Sequence, residues 1–121
     1  MNARTKRVLV VEDEVLVAML IEDMLLDLGC EIAAVSTSLD DAVEQARTAS
    51  FDFAVLDVNL NGRQSFPVAD VIRGRGLPYL FATGYGAKIL ASSHLDVPVL
   101  QKPFGLEELR RAIGLISAWR S

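Results

Sequence analysis

Phe53-Ala54-Val55-Leu56-Asp57 is an apolar run that ends in a carboxylate, and Val8-Leu9-Val10-Val11 ends likewise in the acidic pair Glu12-Asp13. Short continuous apolar runs of this kind read as strands of a parallel sheet, covered on both faces. A buried strand can end in a carboxylate only where the sheet edge opens to water or metal, because an unpaired charge is costly inside. Two such endings therefore predict one acidic site.

Working outward from these runs, strands are predicted near Arg7–Val11, Glu31–Val35, Phe53–Leu56, Tyr79–Ala82 and Val97–Leu100, alternating with helical segments. That alternation predicts an α/β fold, with five strands and five helices in one doubly wound domain over residues 1–121. A first helix is expected over Glu14–Leu28, with Val17, Ile21, Met24, Leu25 and Leu28 on its inner face and Gly29 as its stop. A second should span Leu39–Ala49, capped by Ser38. The last should run from Leu106 to Trp119, turning Leu106, Leu109, Ile113 and Ile116 toward the sheet. Gly114 should weaken it by about 1 kcal/mol relative to alanine. Between Thr83 and Asp96 the helical signal fades, so a short or irregular fourth helix is expected there.

The 121 residues suffice for one core, and 51% apolar with 23% charged side chains excludes disorder as the main reading. Net charge is -4, from 12 basic and 16 acidic residues, so nothing draws the chain as a whole to nucleic acid or an anionic membrane. Neither Val8–Val11 nor Val15–Ile21 is long enough for a signal peptide core or a bilayer span, which places the chain in the cytoplasm. One cysteine and one histidine leave no disulfide or zinc cluster. Cys30 reads as a small buried filler, and His94, in the polar loop Ser92-Ser93-His94, is given no role.

In an open parallel sheet ligands bind beyond the carboxyl ends of the strands, near the point where strand order reverses. Those ends supply Glu12, Asp13, Asp57, Thr83 and Lys102. Three clustered carboxylates repel one another, and a hard divalent cation with oxygen ligands, best Mg²⁺, relieves them. An aspartate oxygen is also a competent nucleophile toward phosphorus, while a lysine and a hydroxyl can neutralise and orient a phosphoryl group. Singly, each has a plainer reading: Asp13 as a helix cap, Lys102 as a solvated lysine, Thr83 as a turn residue. Asp57, directly continuing Ala54-Val55-Leu56, has no obvious structural duty.

Val10-Val11-Glu12-Asp13-Glu14, Val55-Leu56-Asp57-Val58-Asn59-Leu60, Ala82-Thr83-Gly84 and Lys102-Pro103-Phe104 together resemble the receiver domain of bacterial two-component response regulators. The resemblance implies a flavodoxin-like sheet of strand order 2-1-3-4-5. It implies that Asp57 accepts phosphate from a histidine kinase or phosphotransfer protein, with Lys102 and Thr83 at the phosphoryl group. Magnesium would be held by Asp13, Asp57 and the backbone carbonyl of Asn59, with Glu12 acting through water, and the Lys102–Pro103 peptide would be cis. On this view the chain is no enzyme beyond its own phosphorylation and dephosphorylation.

Pro78-Tyr79-Leu80-Phe81-Ala82-Thr83-Gly84-Tyr85 further resembles the signature of the FATGUY receivers, many of them single-domain regulators served by kinases of the HWE group. Receivers usually carry an aromatic residue three before the lysine, which reports phosphorylation by turning inward. Here Val99 stands there, so Tyr85 is the expected substitute in the switch. The output would be contact with a further protein or the draining of phosphate from a kinase, and a phosphorylation-dependent dimer stays open. Two other readings compete. An aspartate-nucleophile phosphatase would place an acid where Asn59 stands, and a constitutive adaptor would never be phosphorylated. Apolar residues also surround the inner face of the first helix, at Val15, Leu16, Ala18, Met19 and Leu20, which suits either a helix buried on both sides or a docking surface.

Overall fold

The computed structural model describes residues 5–84, 94 and 96–120, with 117–120 as helical backbone alone. Along the chain run β1 (Arg7–Val11), α1 (Val15–Asp27), β2 (Glu31–Ser36), α2 (Leu39–Thr48), β3 (Phe53–Asp57), β4 (Asn59–Leu60), β5 (Arg63–Gln64), α3 (Phe66–Gly74), β6 (Tyr79–Thr83), β7 (Val99–Gln101) and α4 (Leu106–Arg120). Five strands form one parallel sheet in the order β2-β1-β3-β6-β7, and β4 pairs with β5 in a separate small hairpin. Counting only the long strands, this is the expected order 2-1-3-4-5.

Alternation along each strand divides the core between two faces. Leu9, Val11, Ala54, Leu56, Tyr79 and Phe81 point one way, onto Ala42 and Ala46 of α2 and Val68, Ala69 and Ile72 of α3. Val8, Val10, Phe53, Val55 and Leu80 point the other way, onto Ile21 and Leu25 of α1 and Leu109, Ala112 and Ile116 of α4. Helices on both faces explain why the central strands are apolar at every position rather than at every second one.

The helix signals act as their chemistry requires. Ser38 Oγ accepts the Asp41 amide at 3.2 Å, closing the first turn of α2. Gly29, at φ +85°, turns the chain out of α1 in the left-handed conformation. Asp13 does not cap α1, since Glu14 holds the cap position and makes no side-chain capping bond.

Four expectations need correction. The last strand is Val99–Gln101, not Val97–Leu100, because Val97 follows a turn closed by its amide on the His94 carbonyl at 3.2 Å. Leu106 is exposed at the start of α4 rather than turned inward. Cys30 is only partly buried, on the rim of the core beside α1. His94, taken as a loop residue without a role, is fully buried. Tyr85 and most of the stretch expected to hold the irregular fourth helix lie outside the described residues.

Candidate functional site

Strand order reverses at β1, which has β2 on one side and β3 on the other. The parallel register pairs Val11 with Leu56, so the next residues, Glu12 and Asp57, come level at the rim. Asp57 pairs with Ala82, and Thr83 with Gln101, so Thr83 and Lys102 follow one step beyond on their own strands. The Lys102 amide bonds to the Thr83 carbonyl at 2.8 Å, holding the two chain ends together. The five residues expected at strand ends are thereby brought to one rim.

Lys102 Nζ donates to Glu12 Oε1 at 2.6 Å and to Asp57 Oδ2 at 3.1 Å. Asp57 Oδ1 accepts the Asn59 amide at 3.2 Å, and Glu12 Oε2 accepts the Glu14 amide at 3.1 Å. Lys102 is thus no solvated lysine; it lies between two carboxylates. One ammonium does not balance them. Burial, aided by the charge of Asp57, pushes the Glu12 carboxyl up to about 7, and burial also raises Asp57. Lys102 is held above its ordinary value because its two carboxylate partners outweigh the burial that opposes its charge. Asp13 is more open; burial would raise it, but the Asn61 amide at 3.0 Å helps hold it below the usual range.

Carboxylate oxygens of Glu12, Asp13 and Asp57 lie within 4.8 Å of one another. With the excess negative charge around Lys102, this all-oxygen donor set fits a hard divalent cation such as Mg²⁺. Asp13 and Asp57 face a cleft of about 390 Å³ that Asn59, Thr83, Gly84 and Lys102 also line, with Glu12 buried behind it. Thr83 itself is buried at its floor.

The β4–β5 hairpin at the mouth of this cleft was not foreseen, although Asn61-Gly62 carries its signal. Asn61 at φ +53° and Gly62 at φ +85° have the two left-handed residues of the tight turn that joins twisted strands. Strands of two residues are too short to register as apolar runs, so only the turn dipeptide marks them.

A family model for the response regulator receiver domain matches residues 8–114. The chain belongs to that family. Among curated proteins, this receiver is 31% identical over 114 residues to the transcriptional regulatory protein PdtaR of Mycobacterium tuberculosis, covering 91% of this chain and 56% of that one. It is 32% identical to DltR of Streptococcus agalactiae, covering 90% and 50%. The receiver therefore spans about half the length of these curated relatives. Among solved structures, SdrG of Sphingomonas melonis Fr1 is similar at 37% identity and TM-score 0.84, over 97% of this chain and 99% of that one. A response regulator receiver protein of Sinorhizobium medicae aligns at 28% identity and TM-score 0.86, over 98% of both chains.

Proposed function

We propose that this receiver takes a phosphoryl group onto Asp57 from a phosphohistidine of a histidine kinase or phosphotransfer protein. The observation that carries the reading is the bonding of Asp57: Lys102 holds one carboxylate oxygen and the Asn59 amide the other, at the floor of an open acidic cleft. A carboxylate oxygen attacks phosphorus, the phosphorus–nitrogen bond breaks, and the histidine imidazole leaves with the electron pair, to be protonated from solvent. Lys102, freed from part of its hold on Asp57, turns its charge to the new phosphoryl oxygens, and Thr83 on the neighbouring strand offers them its hydroxyl.

Asp13, Asp57 and the Asn59 carbonyl would hold Mg²⁺, which when bound screens phosphoryl charge against the acidic site. Glu12 is fully buried and, unlike Asp13 and Asp57, does not line the cleft, which supports its acting through water. A dedicated phosphatase fits less well. The side chain at the position of the usual second acid is Asn59, whose Oδ1 accepts the Gly62 amide at 2.8 Å.

The output reading is an unfused regulator that signals by protein contact or drains phosphate from a kinase, of the HWE group by the FATGUY resemblance. Val99, partly buried beside Phe81 in the sheet register, offers no ring to turn, which leaves Tyr85 as the proposed reporter of phosphorylation. Intact-mass measurement after incubation with acetyl phosphate and Mg²⁺, and after mixing with a phosphorylated kinase domain, tests the core of the reading. One added phosphate that is lost in Asp57→Asn is expected; addition that survives in Asp57→Asn overturns it.

A further inference from the structure

The β4–β5 hairpin makes one contact that the reading of the site as a phosphoacceptor does not use. Its Asn61 amide donates to Asp13 Oδ2 at 3.0 Å across 48 residues of sequence. Asp13 receives no bond from Lys102 in the structure, whose ammonium is spent on Glu12 and Asp57. Beside its neighbours Glu12, Asp57 and its own amide, the one long-range backbone donor to the Asp13 carboxylate among the described residues is therefore the hairpin.

The hairpin is built to present that amide. Leu60 is buried in the core and anchors one side, while the Ser65 amide bonds to the Val58 carbonyl at 2.8 Å and closes the base. Asn59 Oδ1 accepts the Gly62 amide at 2.8 Å, stiffening the turn from within. At its tip the backbone is left-handed at two successive residues, which directs the Asn61 amide inward. A Cβ at Gly62 would meet nothing within 4 Å, so substitution there acts through backbone strain rather than collision.

We propose that the Asn61–Gly62 turn is the positioning element for Asp13, so that divalent-cation affinity depends on the left-handed backbone of this turn and not on the Asn61 side chain. A carboxylate fixed by one amide keeps its other oxygen aimed into the cleft. A carboxylate without that bond loses rotamer entropy on each binding event. The inference rests on the reading of Glu12, Asp13 and Asp57 as a Mg²⁺ site.

The test uses the full chain and Mg²⁺ alone, with the dissociation constant taken from amide chemical shifts and Asn61 amide exchange followed in parallel. Asn61→Gly keeps the amide and the turn, and should keep both affinity and exchange protection within about twofold. Gly62→Val, a branched residue at φ +85°, should lose Asn61 protection and weaken Mg²⁺ about tenfold. Gly62→Ala, milder in strain, should fall between and serves if the valine variant does not fold cooperatively. Gly62 variants that lose Asn61 protection yet bind Mg²⁺ as tightly as the parent would overturn the proposal. Equal weakening by Asn61→Gly would overturn it too, by placing the effect in the side chain. A parent chain that binds no Mg²⁺ would instead sink the metal reading, and the proposal with it.

Discussion

His94 is the residue whose structure departs furthest from its sequence context. Its ring is fully buried, stacked on Phe66 with centroids 5.6 Å apart and edge-on to Phe81 and Tyr79. Arg73 Nε donates to Tyr79 Oη at 2.9 Å, so the single phenol proton is free for His94 Nδ1 at 2.6 Å, and Nε2–H faces Asp70 Oδ1 at 3.1 Å. His94→Phe keeps the ring but strips Tyr79 of its acceptor, and should cost about 1–3 kcal/mol. His94→Ala also opens a cavity and should cost about 3–5 kcal/mol by urea unfolding; losses below about 0.5 kcal/mol in both would show that the ring is not held as described. Tyr79 gives a second handle. Burial raises its phenol above 10, with the nearby Arg73 opposing. A raised acid means the folded state holds the proton more tightly, so its stabilising share is complete below pH 10 and is lost as pH rises through the folded value. In Tyr85→Phe, where Tyr79 is the one remaining tyrosine, phenolate absorbance should rise later than for a free phenol. None of this was legible locally. Ser92-Ser93-His94 reads as a polar loop, and what buries the ring is Phe66, Tyr79 and Phe81, contributed by α3 and β6.

Among the elements, α1 carries the clearest surplus. It buries Ala18, Ile21 and Leu25, whereas Val15, Leu16, Met19, Leu20 and Leu26 are all at least half exposed, which rules out burial on both sides. Beside it Leu20, Met24, Pro103 and Phe104 line an apolar groove that reaches Glu14 and Lys102 at the edge of the acidic site. A helix bearing a phosphohistidine could seat apolar side chains here while its imidazole meets Asp57. Leu16→Lys and Leu20→Lys sit on the solvent side and should leave stability within about 0.5 kcal/mol. Each should slow phosphotransfer from a partner kinase about tenfold, while labelling by acetyl phosphate stays unchanged. Equal slowing of both reactions would place the effect in the Asp57 site instead. This element was half legible: helical spacing located the inner face, but Ala18 joined the wrong set because a small apolar residue signals neither face. Strands were read better, since burial on both faces writes itself as continuous apolar runs. The rim residues Glu12, Asp13, Asp57, Thr83 and Lys102 followed from those runs, as each sits where one stops. Paired strands as short as β4 and β5 leave no such mark.

At the scale of the whole molecule, the acidic rim sets stability against function. Glu12 and Asp57 share one ammonium, and burial raises both carboxyls, so without a cation the native state holds charge it would rather shed. Removing one carboxylate charge should therefore strengthen the metal-free fold. Asp57→Asn in chelator should unfold at higher urea than the parent, by about 1 kcal/mol. The same change should remove most of the response to Mg²⁺. A ligand that binds only the folded state stabilises it by about 2.7 kcal/mol at a hundredfold excess over its dissociation constant, so the parent should overtake the variant as Mg²⁺ rises. The crossing of the two curves is the diagnostic result. Parallel curves would mean that the cation binds away from Asp57, and a parent more stable than the variant in chelator would mean that Lys102 already balances the site. An asparagine amide supplies no anionic oxygen to attack phosphorus and a weaker ligand to the cation, so under the proposed function the stabilised variant would be inert in phosphotransfer.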